Sequence, residues 1–329
     1  MKKNIVVTGG LGFIGSNFIR HIFEKKESKI QDNSRILNDF RIHNIDCETY
    51  ASNRGNLESY DDHIDYGFSK VNITDVEAVR NIFSEFRPDI IVHFAAESHV
   101  DRSIESGEEF IKTNVLGTQV LLDMAREFSC ELFFHVSTDE VYGSINHGFA
   151  DEDSQLSPSS PYSASKAASD LLVLSHNHTY GTPVIITRCT NNFGPLQHHE
   201  KLIPKMITRS LSNKKLPLYG NGQQIRNWLY VRDHCEAILQ LIEKGSIGEI
   251  YNIAGNEEIT NLELTRSILK FSKKPESLIE FVTDRPGHDE RYGVDDKKIR
   301  NLGWKPTKSL NDGLIEMIND YSKETKRLK

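Results

Sequence analysis

Tyr162 and Lys166 stand four residues apart in a segment, 162–178, whose apolar spacing predicts a helix. Positions i and i+4 share a helix face, so the phenol and the ammonium reach one spot. A nearby ammonium favours phenolate and draws a tyrosine down from its usual pKa of about 10. Tyr162 is thereby a candidate general base for a substrate hydroxyl, with Lys166 as its electrostatic partner. Upstream, Ser137-Thr138 ends a strand-like segment and offers a hydroxyl beside that phenol; two carboxyls, Asp139 and Glu140, follow at once. Adjacent carboxyls in different environments can divide acid and base work, one protonated and one ionised.

A second constellation lies at the start of the chain. Gly9, Gly12 and Gly15 are spaced G-x-x-G-x-x-G between an apolar run at 4–8 and a helical pattern at 13–25. Glycines in that context let the backbone turn sharply and approach a pyrophosphate, whose charge then sits at the helix N-terminus. Asp46 closes the next apolar strand candidate and is placed to accept from an adenosine ribose, which favours NAD over NADP. The interval from Gly15 to Asp46 exceeds the usual figure of about 20 residues. The polar, irregular stretch 25–41 reads as a surface insertion that accounts for the excess.

Elements to carry these residues are legible around them. Near-continuous apolar runs at 89–95, 131–137 and 184–188 suit strands buried on both faces of a parallel sheet. Helical patterns at 76–86, 109–128 and 162–178 alternate with them, which argues for an α/β, Rossmann-type doubly wound parallel sheet. After about residue 189 loops rich in Asn, Gly, Pro and Gln appear, although a helix near 232–243 and a strand at 249–253 look core-like again. The expected division is therefore 1–189 with 229–255 as an NAD-binding domain, and 190–228 with 256–329 as a smaller C-terminal α+β substrate domain.

Composition limits the partners. The 329 residues carry 40 Lys+Arg against 47 Asp+Glu, a net charge of −7, and 37% are hydrophobic. That is enough for a sizeable core and too much for a disordered chain. No apolar run approaches the roughly 20 residues of a membrane span, and the N-terminal apolar run is too short for a signal-peptide core. The acidic balance disfavours binding to nucleic acid. Cys47, Cys130, Cys189 and Cys235 form no CxxC pair, so no metal or disulfide framework is expected, and the chain reads as cytoplasmic.

Seven stretches together carry a specific resemblance: HFAAESHVDRSI (93–104), STDEVYG (137–143), PYSASKAASD (161–170), NNFGP (191–195), EKLIP (200–204), LYGNGQQIRNWLYVRD (218–233) and DRPGHDERY (284–292). With the glycine loop and YxxxK they resemble the extended short-chain dehydrogenase/reductases, and within them the nucleoside-diphosphate-glucose 4,6-dehydratases. The resemblance implies oxidation at C4 with Tyr162 as base, removal of the C5 proton by Glu140, protonation of the C6 hydroxyl by Asp139, and return of the reducing equivalents to C6. NAD is then regenerated in place. The implied substrate is dTDP-glucose, with UDP-glucose as the alternative because a thymine methyl differs little from hydrogen in an apolar pocket. A 4-epimerase is disfavoured by Asp139-Glu140, and a silent NAD-binding protein by the intact Thr138, Tyr162 and Lys166.

Further contacts follow from the same likeness. Phe13, Ile14, Cys47, Thr49, Asn72, Ile73, Ala95, Ala96, Ser98, Thr113 and Asn192 are implied at the cofactor. Ser98, Thr138 and Asn191 are implied at the sugar. Lys201, Leu202, Pro217, Leu218, Tyr219, Arg226, Asn261, Asp284, Arg285, Pro286, Gly287 and His288 are implied at the nucleoside diphosphate. Asn72 stands where the family has an adenine-contacting Asp and is expected to accept through its carbonyl; Phe193 replaces a Tyr. A homodimer through helices 109–128 and 162–178 is expected, since both carry apolar residues on more than one side.

Overall fold

The computed structural model describes residues 2–27 and 39–327. Seven strands make one all-parallel sheet: β1 (Lys3–Thr8), β2 (Phe40–Asp46), β3 (Tyr66–Lys70), β4 (Ile90–His93), β5 (Leu132–Thr138), β6 (Val184–Cys189) and, later in the chain, β10 (Ile250–Ile253). Their order is β10-β6-β5-β4-β1-β2-β3, so the winding reverses between β1 and β4. Successive side chains alternate faces. Ile5, Val7 and Phe134 enter one buried cluster, and Val6, Phe133 and Ile186 the other. Every residue of β4 and β5 is buried, as their apolar runs require.

Helices α1 (Phe13–Glu27), α2 (Val76–Phe86), α3 (Val100–Glu105), α4 (Glu108–Phe110), α5 (Thr118–Glu127), α6 (Pro161–Tyr180) and, later, α8 (Val231–Lys244) flank the sheet. Local chemistry starts and stops them. Asp75 caps α2 by accepting from the Ala78 amide at 3.1 Å. Ser160 and Ser163 form a reciprocal capping box at α6, Pro161 supplies the preset φ of a first turn, and Gly181 ends the helix at φ 69°. Between α4 and α5 the chain winds as a π-helix, Ile111–Gly117, so the helix expected over 109–128 is not regular. The stretch expected to be an insertion is shorter than read: residues 25–27 complete α1 and 40–41 open β2, while 28–38 lie outside the described residues.

The remaining elements are β7 (Asn191–Phe193), α7 (Leu202–Leu211), β8 (Leu216–Tyr219), β9 (Ile225–Tyr230), β11 (Glu258–Thr260), α9 (Asn261–Phe271), β12 (Ile279–Val282), α10 (Lys297–Asn301) and α11 (Leu310–Arg327). They give a three-stranded sheet, β11-β9-β7, and a parallel pair, β12-β8. Phe193, Met206, Trp228, Leu264 and Leu314 belong to a separate apolar cluster among them. Phe193 is fully buried with its ring edge-on to Trp228 and Tyr230, a place that needs no hydroxyl. Ile299 and Trp304 depart from the expected grouping of 256–329 by packing with the core of the large sheet, where α10 lies against β10.

Candidate active site

The carboxyl ends of the parallel strands open, at the reversal between β1 and β4, into a cleft of about 780 Å³. That is where open α/β sheets bind ligands. The glycine loop forms one wall. Gly9 has φ +72°, and a Cβ there would lie 2.6 Å from the Ala95 amide nitrogen; on Gly15 it would lie 2.4 Å from the Gly9 carbonyl. The cradle exists only without side chains. Asp46 fixes the loop by accepting from the Leu11 amide at 3.0 Å, from the Glu48 amide at 2.8 Å and from Ser52 Oγ at 2.8 Å. A carboxylate has about four acceptor positions, which leaves room for a ribose hydroxyl. These residues fit a dinucleotide.

Asn72 differs from expectation. Its Oδ1 already accepts from the Thr74 amide at 3.0 Å and from Thr74 Oγ1 at 2.9 Å. Both lone pairs of the carbonyl are taken, so the side chain presents its amide donor rather than an acceptor.

Thr138 ends β5, and its Oγ1 accepts from the Glu140 amide at 3.3 Å, starting the short 3-10 turn Asp139–Tyr142. That turn carries both acids into the cleft beside Tyr162. Asp139 is 2% exposed; Oδ1 accepts from Thr138 at 3.2 Å and Oδ2 has no partner. Burial, followed by the charge of Glu140, holds its pKa well above the carboxylate range. Glu140 is also pushed up by burial, but it keeps part of its surface open, and Arg226, Arg285 and Lys201 pull against that rise. Burial thus raises both acids, and at Glu140 three nearby cations oppose the rise.

Lys166 is 4% exposed and donates to the Val136 carbonyl at 2.8 Å; burial brings its pKa down to about 8. Tyr162 is not drawn down as its spacing from Lys166 suggests. Burial, then Glu140, raises its pKa well above 10. Burial and Glu140 oppose the pull expected from Lys166, which is itself held by a backbone carbonyl.

The opposite wall carries the cations. Arg226, 5% exposed, donates to the Ile225 carbonyl at 2.7 Å and the Asp289 carbonyl at 2.9 Å, and its guanidinium lies 4.2 Å from the ring centre of Tyr292. Tyr292 in turn donates to Asp289 at 2.8 Å. Lys201 donates to the Ser98 carbonyl at 2.8 Å. Arg285 and Tyr219 both donate to Asp101, at 3.2 and 3.3 Å. Asn191 Oδ1 is buried without a partner, whereas Asn192 is spent on the scaffold, bonding the Thr190 carbonyl at 2.9 Å and His234 at 2.9 Å.

The nominated residues all line this one cleft except Asp284, Pro286 and Gly287. Asp284 stands behind it, 2.6 Å from His288 Nδ1 and 2.8 Å from Gln224 Nε2, and orients those groups. Lining residues that the motifs did not single out include Glu97, Asp101, Cys189, Glu200 and Tyr292. All but Cys189 fall inside the quoted stretches, but Asp101 meets Arg285 and Tyr292 meets Arg226 across long intervals of sequence that carried no signal.

Fold and site together define a nucleotide-sugar-modifying member of the short-chain dehydrogenase/reductase class. The chain belongs to the GDP-mannose 4,6 dehydratase family, whose model matches residues 6–317. It is 48% identical to the low-salt glycan biosynthesis protein Agl12 of Haloferax volcanii, over 97% of this chain and 98% of that protein. It is 46% identical to the dTDP-glucose 4,6-dehydratase of Neisseria gonorrhoeae, over 97% and 96%. The solved dTDP-glucose 4,6-dehydratase of Streptomyces venezuelae, with NAD and dTDP bound, superposes with a TM-score of 0.91 at 44% identity, covering 99% and 98%.

Proposed function

We propose that the protein is a hydro-lyase that converts dTDP-glucose, using NAD, into the 4-keto-6-deoxyglucose nucleotide. The observation that carries this reading is the pair Asp139 and Glu140, set in one cleft with Tyr162, the first buried and the second partly open. Oxidation at C4 alone needs one base; loss of water across C5–C6 needs a further acid and base.

NAD, when bound against the glycine loop, Asp46, Tyr162 and Lys166, supplies a two-electron acceptor that is restored within one turnover. Tyr162 takes the proton of the C4 hydroxyl as a phenolate, which the Lys166 ammonium and the positive charge of bound NAD would favour against the burial and the Glu140 charge that raise its pKa, and Thr138 offers that hydroxyl a hydrogen bond. The C4 ketone acidifies the C5 proton, which Glu140 accepts. Asp139 gives its proton to the C6 oxygen, and water departs. C6 then regains the hydrogen and electron pair removed from C4 while a proton returns to C5, which leaves the 4-keto-6-deoxy sugar. Arg226, Lys201 and Arg285 suit the diphosphate by charge, and Asn191 suits a sugar hydroxyl.

The same reading assigns 1–189 with 229–255 to the cofactor and 190–228 with 256–329 to the nucleotide, supported by the separate apolar clusters except around Ile299 and Trp304, which pack with the large sheet. It includes a homodimer, supported by Ile111, Leu116 and Leu171, which stand 50–58% exposed on the helical run 108–127 and on α6. A monomeric mass by light scattering at micromolar concentration overturns the dimer. Four free cysteines support action in a reducing compartment, the cytoplasm. Among the described residues no helix is long and apolar enough to cross a membrane. Incubation with dTDP-glucose and with UDP-glucose separately, followed by product mass, tests the activity. Loss of water from neither nucleotide sugar refutes it.

A further inference from the structure

Three separate pieces of chain meet at one edge of the cleft. Tyr50 lies in the loop after β2, flanked by the lining residues Thr49 and Ala51. Arg102 comes from α3, with its guanidinium 3.6 Å from the centre of the Tyr50 ring. His198 comes from the segment that follows β7 and lines the cleft from the other side. Its ring lies edge-on to Tyr50 at 5.8 Å. Glu200 ties the two sides again, 3.5 Å from Arg102 Nη2 and 3.8 Å from His198 Nδ1, with His99 at 3.6 Å.

These contacts join the wall built by the glycine loop and Asp46 to the segment leading into Lys201. They border one side of that wall, next to the lining residues Thr49, Ala51 and His198. Nothing in the proton transfers described above uses Tyr50, Arg102 or His198. An edge-on ring pair and a guanidinium over an aromatic face are individually weak and break without chemical change, which suits a closure that opens rarely.

We propose that Tyr50, Arg102 and His198 form a clasp over the dinucleotide cleft that sets how long NAD stays bound. An enzyme that restores its cofactor within each turnover gains nothing from releasing it, so slow exchange fits the chemistry. The proposal rests on NAD occupying this cleft.

The test follows exchange of bound NAD for isotopically labelled NAD by mass spectrometry on the full-length protein. Tyr50→Ala and His198→Ala are expected to exchange about tenfold faster than the unaltered chain. Tyr50→Phe keeps the ring and is expected to exchange at the original rate. The double variant is expected to be no faster than the faster single one, because each change opens the same clasp. Unchanged exchange in both alanine variants overturns the clasp while leaving the cofactor reading intact. Failure of the unaltered chain to take up any NAD overturns the cofactor reading and the clasp with it. Circular dichroism checks folding, and if Tyr50→Ala does not fold, His198→Ala decides alone.

Discussion

Lys166 donates to the backbone carbonyl of Val136 at 2.8 Å, so the cation beside Tyr162 is anchored to the strand that also delivers Thr138. Base, hydroxyl and lysine therefore share one rigid frame. The burial that anchors Lys166 also lowers its pKa from 10.5 to about 8.

A pH dependence follows. Between about pH 8 and 10.5 the unfolded chain holds this proton and the folded chain has released it. Stability rises with pH wherever the unfolded state binds more protons, so the Lys166 contribution is least favourable below pH 8 and improves through that window. Lys166→Met removes the term. Urea midpoints of variant and unaltered chain, compared at pH 7 and near pH 10, are expected to show the larger gain for the variant at the lower pH.

Tyr162→Phe removes the proton acceptor of the first step and keeps the ring. Reduction of bound cofactor on mixing with dTDP-glucose is expected to slow by about 10²–10⁴-fold, with nucleotide-sugar affinity nearly unchanged. Stopped-flow absorbance of the reduced cofactor checks this.

Asp139→Asn and Glu140→Gln are expected to separate oxidation from elimination. Both keep Tyr162 and Lys166, so reduced cofactor still accumulates while dehydration falls about 10²–10⁴-fold. Glu140→Gln should also stop exchange of the C5 proton with deuterated water, whereas Asp139→Asn retains it. The opposite pattern would falsify the assignment of acid and base.

Arg188 and Asp170 form a buried pair at 2.9 Å, both at most 2% exposed, with Arg188 also donating to Tyr142 at 2.8 Å. Arg188→Met strands a buried carboxylate and is expected to cost about 3–5 kcal/mol by chemical denaturation. A loss under 1 kcal/mol contradicts the importance given to the pair.

Gly15→Ala places a Cβ 2.4 Å from the Gly9 carbonyl. Overpacking of that kind costs about 1–3 kcal/mol, and here it also closes the cradle. NAD titration is expected to show weakened binding, and binding at the original affinity contradicts the cradle.

Local signals in the sequence were sufficient for the strands and helices around the site. Buried parallel strands announce themselves as unbroken apolar runs, as in β4 and β5, and YxxxK and the glycine spacing depend only on neighbours along the chain. The edge strand β3 was not legible, because Tyr66–Lys70 is only partly buried and carries no such run. Tertiary structure decided everything that depends on distance and dryness. It lifted Tyr162 where the local pattern lowered it, turned Asn72 into a donor through Thr74, and placed Asp284 behind the cleft rather than in it. It also brought Asp101 to Arg285, 184 residues away. A spacing states which side chains share a face; only the packed surroundings set the dielectric, the spare lone pairs and the far partners that fix what those side chains do.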